Sequence, residues 1–380
     1  MKILVRVPAC KRLLLGAIVA AIAAIGVAMP AMAEDRGWQI APFVRPASGN
    51  PVITPDKRAI FQDPILQTPV TWEALHTFNP AAIVRDGKVY VLYRAEDDSG
   101  AMQIGMHTSR LGLAVSDDGV HFSPQKTPVF YPAVDAQKDR EWPGGVEDPR
   151  LVEGEDGTYV LTYTQWNRKT YSVGIATSKD LVAWTKHGPA FGNTGKYAGL
   201  MYKSAGIVTS LQSGRLIAAK IHGKYWMYWG EIHVHLATSE DLIHWAPVED
   251  GAAQPKDLLS ARPGHFDSSF PETGPPPVLT KRGIVVIYNG KNAPENGDPN
   301  LGPNAYAAGE ALFSAADPTK LLERSERPFF FPEMAYEKTG QYAAGTTFAE
   351  GLVCFKGKWF LYYGCADSLV GVAVDDASRE

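Results

Sequence analysis

Ala114-Val115-Ser116-Asp117-Asp118-Gly119-Val120-His121-Phe122, Ala176-Thr177-Ser178-Lys179-Asp180-Leu181-Val182-Ala183-Trp184 and Ala237-Thr238-Ser239-Glu240-Asp241-Leu242-Ile243-His244-Trp245 are three copies of one pattern, A-x-S-x-D-x-[VI]-x-[FW]. Their serines stand at 116, 178 and 239, spacings of 62 and 61. A fixed period of this length marks a repeat architecture. Each copy follows a hairpin of alternating β-branched and aromatic residues turned at a glycine, of which Ile83-Val84-Arg85-Asp86-Gly87-Lys88-Val89-Tyr90-Val91-Leu92-Tyr93 is an example. Two more hairpins follow the third copy, Val278 to Asn289 around Arg282-Gly283 and Gly351 to Tyr363 around Lys356-Gly357, and Leu312-Phe313-Ser314-Ala315-Ala316-Asp317-Pro318 is a degenerate partner to the fourth unit. Helical periodicity is almost absent. Five units of roughly 55 to 75 residues, about four strands each, predict an all-β fold, a five-bladed β-propeller whose terminal pieces close the ring. A β-sandwich with coincidentally similar strands is the competing reading, and the regular spacing argues against it. Within each copy the Ser and Asp are expected to fix a turn through side-chain hydrogen bonds to the backbone, while the aromatic fills the space between blades.

The first 33 residues stand apart from this pattern. Lys2, Arg6, Lys11 and Arg12 precede an apolar run from Leu13 to Val27, and Ala31-Met32-Ala33 ends the segment before Glu34. This is the form of a signal peptide, with cleavage expected after Ala33 and export to the periplasm or the exterior; an uncleaved anchor is the alternative. The predicted domain is then residues 34–380. Losing four bases and no acid takes the formal net charge from −4 to −8. With 45% apolar residues the chain is not of a disordered composition, and an acidic exported protein is a poor partner for nucleic acid or an anionic membrane. Cys10 leaves with the segment. Cys354 and Cys365 flank one hairpin, with Cys354 expected opposite residue 360 or 361, too far from Cys365 for a disulfide. Two buried thiols are expected.

In propellers, ligands meet the inner strands around the channel. Polar residues at the entry of each unit's first strand are Asn79 with Arg94 and Asp97, then Glu147-Asp148-Pro149-Arg150, then Lys203-Ser204, then Asp267-Ser268 with Glu272, then Glu350 and Asp367. An acidic pocket bordered by aromatic rings is what sugar binding and glycosidic cleavage require: carboxylates for acid and base work, acceptors for vicinal hydroxyls, rings for C–H faces.

On Phe78-Asn79-Pro80-Ala81, Leu92-Tyr93-Arg94-Ala95-Glu96, Gly145-Val146-Glu147-Asp148-Pro149-Arg150 and Tyr362-Tyr363-Gly364-Cys365-Ala366-Asp367, the chain resembles glycoside hydrolase family 130 over nearly all of the mature sequence. The resemblance implies a five-bladed propeller enzyme acting on β-mannosides, either an inverting phosphorylase that uses inorganic phosphate or an inverting hydrolase of β-1,2-mannosides. Family phosphorylases carry a His-Arg-Pro at the end of a strand that here reads Gly223-Lys224-Tyr225-Trp226-Met227-Tyr228-Trp229-Gly230-Glu231. Trp229-Gly230-Glu231 stands in its place, and a carboxylate there would repel phosphate in a poorly solvated pocket. Glu272 resembles the second carboxylate of the hydrolase branch. Lys220 and Arg168 are possible remnants of a phosphate site and keep the phosphorylase reading open.

The mechanism expected is single-displacement hydrolysis with inversion at Asp148, which matches the family's proposed acid, at Glu272, and at Glu231, whose carboxylate suits water activation. Glu231 and Glu272 would deprotonate the attacking water, and Asp148 would protonate the leaving oxygen, directly or through a mannose hydroxyl. Asn79, Arg94 and Asp367 match the family's sugar-binding positions, and Asp97, Arg150, Lys203 and Asp267 are further substrate-binding candidates. Each has a plainer alternative: Asp148 a turn residue, Arg94 a salt bridge between blades, Glu231 a solvated strand end. His222, His233 and His235 invite a metal reading, but His233 and His235 share a strand face without a third ligand, so neither metal nor cofactor is expected. The partner is a β-mannoside oligosaccharide or glycan. A non-catalytic carbohydrate-binding propeller and an arabinan or fructan glycosidase are the other classes compatible with one acid per blade. The Pro255 to Pro276 and Asn292 to Asn304 loops are long enough to shape the pocket or an interface.

Overall fold

A computed structural model describes residues 37–40 and 42–376, so the expected signal segment lies outside the described residues. Among these residues helix is confined to Lys138–Glu141 and a single 3-10 turn at Ala335–Glu337. The rest of the regular structure is strand, arranged as antiparallel meanders. The first runs His76–Arg85, Lys88–Glu96, Ser109–Ser116 and Ser123–Pro124. The second runs Gly145–Glu153, Tyr159–Trp166, Tyr171–Ser178 and Trp184–Pro189. Ala205–Ile207, Lys224–Trp229, His235–Ser239 and Ala246–Pro247 make the third, with the hairpin Thr209–Gln212 and Arg215–Ala218 beside it. In the fourth, Phe270–Thr273 and Val278–Leu279 both pair with Ile284–Lys291, which leads to Tyr306–Phe313 and Leu321–Arg324. Thr347–Phe355, Lys358–Cys365 and Leu369–Asp376 form the last, and the N-terminal segment adds bridges from Val44 to Val374 and from Ile53 to Val370.

The repeated S-x-D segments form the turns that connect third and fourth strands. Ser116, Ser178 and Ser239 each accept a backbone N–H three residues on, at 2.8 to 2.9 Å. Asp118, Asp180 and Asp241 each accept the N–H groups two and three residues on. These bonds hold Gly119, Leu181 and Leu242 at φ of 82°, 70° and 68°. Leucine seldom adopts that left-handed conformation, so the paired side-chain acceptors must offset its cost. Trp184 and Trp245 fold back to donate from Nε1 to the carbonyls of Leu181 and Leu242.

Apolar burial lies between successive meanders. Ala81, Leu92 and Leu111 of the first pack on Val146, Leu151 and Leu161 of the second, and Val152, Val160 and Ile175 pack on Ile207, Met227 and Trp229 of the third. Val208, Tyr228 and Leu236 meet Ile284, Val286 and Tyr288, while Val285, Ile287 and Ala308 meet Leu352, Leu361 and Tyr363. Ala82, Val91 and Tyr93 of the first meander also pack on Val353, Phe360 and Tyr362 of the last. Cys354 and Cys365 are buried and not joined by a disulfide. Cys354 faces Trp359, one residue short of the expected register, and burial pushes the Cys365 thiol up.

Three first strands are interrupted at matching points. Register shifts fall between Phe78 and Pro80, between Glu147 and Arg150, and between Ala349 and Gly351. Asn79 and Asp148, within two of these bulges, have φ of 46° and 47°. A bulge bends its strand and re-aims side chains, and these bulges lie where the functional candidates are.

Candidate active site

A strand alternates its side chains between two faces, so Glu147 and Asp148 should point apart. The bulge overrides this, and both line one cavity of about 280 Å³. Phe78 and Asn79 do the same from the first meander. Arg94, Lys203, Glu231, Glu272 and Asp367 complete its charged wall, and Trp166, Tyr171, Tyr306, Tyr342 and Phe348 supply rings. Five carboxyl groups therefore share the cavity with two cations.

The cations are both engaged. Arg94 contacts Asp148 at 3.1 Å, Glu147 at 2.8 Å and Glu96 at 2.7 Å. It is thus an ion-pair link between the first and second meanders and part of the cavity wall at once. Asn79 Nδ2 donates to Asp148 Oδ1 at 2.8 Å, and Ser109 Oγ donates to Glu147 at 3.2 Å. Lys203 lies between the other two acids, 3.3 Å from Glu231 Oε2 and 3.5 Å from Glu272 Oε1. Tyr171 OH donates to Glu231 Oε1 at 3.1 Å, and Ser204 Oγ donates to Glu272 Oε1 at 2.6 Å. An antiparallel bridge between Glu231 and Glu272 sets their backbones side by side. Among the described residues Glu272 Oε2 is buried with no hydrogen-bond partner.

These contacts divide the acids by protonation. Burial pushes Asp148 up, but Arg94, Lys203, Arg150 and the Asn79 amide outweigh it and hold Asp148 below the ordinary carboxylate range. Glu147, buried beside the negative Asp148, is pushed up to about 7 despite Arg94. Asp367 is likewise raised to about 7 by burial and by Asp148. Burial also raises Glu272, against the pull of Lys203. Lys203, although buried, is kept protonated by Glu272, Glu231 and Asp148. The cavity thus combines an ionised carboxylate with neighbours that carry protons near neutrality, the arrangement that acid and base work requires.

Three residues expected to bind substrate do not reach the cavity. Asp97 is buried beyond its strand's end, where it accepts from Ser99 and pairs with Arg110 at 2.7 Å, and Arg110 also holds Asp63. Asp267 is buried under Arg262 at 2.9 Å, Arg324 at 2.5 Å and Tyr288 OH at 2.8 Å. Arg150 is buried and absent from the lining, turned instead to backbone carbonyls and Glu350. Lys220 and Arg168, the candidate phosphate remnants, do not line the cavity either. Among the described residues no group of three or more His, Cys, Asp or Glu could hold a metal ion. His233 and His235 face Asp257 at 3.3 Å each, and His222 meets the Ala316 carbonyl.

Asp267→Ala separates the two roles for that residue. It leaves Arg262 and Arg324 without their shared anion, so a loss of about 3 kcal/mol in stability is expected, as for a broken buried pair. Chemical denaturation measures it. An unchanged midpoint together with a raised KM would return Asp267 to substrate binding.

The residues missed in the sequence are mostly aromatic. Trp166 and Tyr171 face each other across one hairpin, their rings 6.3 Å apart, and Tyr306 and Tyr342 are 5.5 Å apart. A Trp or Tyr at each end of a short turn is a signal that could have found the first pair.

The family model described as beta-1,4-mannooligosaccharide phosphorylase, of glycoside hydrolase family 130, matches residues 52–378. A 1,2-beta-oligomannan phosphorylase of Thermoanaerobacter sp. (strain X514) is 32% identical over 307 residues, 80% of this chain and 90% of that protein. The solved structure of a glycosyl hydrolase from Bacteroides ovatus superposes with a TM-score of 0.88 at 52% identity, over 90% of this chain and 96% of that one. A second solved structure has a TM-score of 0.88 and 53% identity, over 90% of this chain and 95% of its own. It is described with the statement that the family of mannoside phosphorylases contains glycoside hydrolases that target beta-1,2 mannosidic linkages in Candida mannan.

Proposed function

Since the chain belongs to glycoside hydrolase family 130, a family of enzymes acting on mannosides, we propose that it cleaves β-1,2-linked mannosides by inverting hydrolysis. The observation that carries hydrolysis is the charge of the cavity: five carboxyl groups face two cations, each already paired with carboxylates. A phosphate entering there would meet Glu231 and Glu272 at close range in a poorly solvated space. Water meets no such barrier. In the proposed step Glu231 and Glu272, oriented by Tyr171, Ser204 and Lys203, take a proton from water as its oxygen bonds to the anomeric carbon. The carbon–oxygen bond to the leaving sugar breaks, and that oxygen receives a proton through Asp148, directly or by way of a substrate hydroxyl; because Asp148 itself is held ionised, the proton is one that its neighbours Glu147 or Asp367 carry near neutrality. The surrounding rings suit the apolar faces of a pyranose.

Phosphorolysis is the second reading. The curated relatives favour it by name, since they are phosphorylases of β-1,2-oligomannan, β-1,2-mannobiose and β-1,4-mannooligosaccharides. Product analysis from β-1,2-mannobiose with and without phosphate separates the two. Free mannose at a rate independent of phosphate is expected, with α-mannose as the first anomer seen by proton NMR. Mannose 1-phosphate would establish phosphorolysis, and initial β-mannose would rule out inversion.

For the architecture we infer a five-bladed propeller. In support, each meander packs on the next, and the Thr77 N–H donates to the Ser368 carbonyl at 3.1 Å, joining the first meander to the last. An experimental structure with the first and last meanders apart would refute it.

A further inference from the structure

We infer that Arg150 is the strut that sets Asp148 against Glu272, a positioning residue for bond cleavage; the inference rests on the reading of those two carboxyls as acid and base. One guanidinium makes four contacts on three segments of the chain. Nη1 donates to the Asp148 carbonyl at 3.0 Å, Nη2 to the Thr273 carbonyl at 2.7 Å and Nε to the Gly274 carbonyl at 3.2 Å. Glu350 Oε1 lies 2.6 Å from Nη1. Thr273 follows Glu272 directly, and its own N–H donates at 3.1 Å to the carbonyl of Gly230, the residue before Glu231. The backbone positions of acid and base, 124 residues apart along the chain, therefore converge on one side chain.

The need for such a device follows from the bulge. The register shift between Glu147 and Arg150 takes Asp148 out of the strand ladder, so sheet pairing does not hold its carbonyl. Guanidinium donors are coplanar and fixed in direction, so the carbonyls they bind are fixed relative to one another. The same cation favours the charged forms of Asp148 and Glu272. Burial pushes Glu350 well up, against the pull of Arg150 and Arg94.

Arg150→Lys is the test, with β-1,2-mannobiose as the probe. Lysine keeps the charge, but its single ammonium cannot span the three carbonyls that the guanidinium binds. Misalignment of acid and base should lower kcat about a hundredfold while leaving KM within about threefold, since no sugar contact is lost. A kcat close to wild type overturns the strut, and so does a KM that rises in parallel with the loss. If Arg150→Lys does not fold, Glu350→Gln decides. It keeps the volume and an acceptor beside Nη1 but exchanges a charge-assisted contact for a neutral one, so the guanidinium is held less firmly without leaving a cavity. A kcat lowered about tenfold at unchanged KM supports the strut, and wild-type kcat overturns it. Wild-type protein inactive on the disaccharide with and without phosphate would sink the functional reading by itself. An active wild type matched by an equally active Arg150→Lys sinks only the strut.

Discussion

Asp148→Asn is expected to lower kcat on β-1,2-mannobiose by about a thousandfold or more, at the upper part of the range for loss of a general acid, with little change in thermal stability. The amide keeps the size of the carboxyl and still accepts from Asn79 Nδ2 and Arg94, which also retains Glu96 and Glu147. What it cannot do is deliver a proton. An unfolded variant would instead support Asp148 as a turn residue, and a folded, active one would remove it from the mechanism. The proton's source bears on the pH profile. Asp148 is held low in the free protein by Arg94 and Lys203 despite its burial, whereas Glu147 and Asp367 beside it titrate at about 7. The cluster therefore enters the reaction with a proton below that value and loses it above. On this account kcat/KM falls as pH rises through about 7, and a profile flat to pH 9 would contradict it.

Glu231→Gln and Glu272→Gln are each expected to lower hydrolysis by roughly a hundredfold to a thousandfold, because a carboxamide cannot take the proton of the attacking water. The folds should persist, since Gln offers an oxygen to Tyr171 in one case and to Ser204 in the other. Both acids share Lys203 and act on one water, so the double variant should lose less than the product of the single losses. Retention of most activity by both single variants would show that the water site is elsewhere. Recovery of turnover in Glu231→Gln on adding phosphate, with mannose 1-phosphate formed, would favour phosphorolysis and identify Glu231 as the group that excludes the anion.

Asp97, Arg150 and Asp267 show where reading by position along the chain fails. Each was chosen for lying near the start of a unit's first strand or the end of its second, beside residues that do reach the cavity. Asp97 is only three residues beyond Arg94, yet it has left the strand and turned to Arg110. Asp267 precedes its strand and is claimed by two arginines, one of them Arg324 from far along the chain. Arg150 is two residues from Asp148, and simple alternation would put both on one face. The bulge between them breaks the alternation, so the neighbour that joins Asp148 in the cavity is Glu147. Asn79-Pro80 and Asp148-Pro149 mark two of these bulges in the sequence, a recurrence that could have announced the shift.

Strand content, the recurring S-x-D turns and the identity of the acids were legible in the residues alone, because alternation, turn chemistry and repeat spacing are relations between near neighbours in the chain. Which carboxyls share a cavity and which are neutralised elsewhere depends on contacts between distant segments. Asn79 and Asp148 meet across 69 residues, Ser204 and Glu272 across 68. Their protonation depends on burial and on cations brought from other meanders. A charge interacts through space, and the space around it is set by the packing of the whole chain.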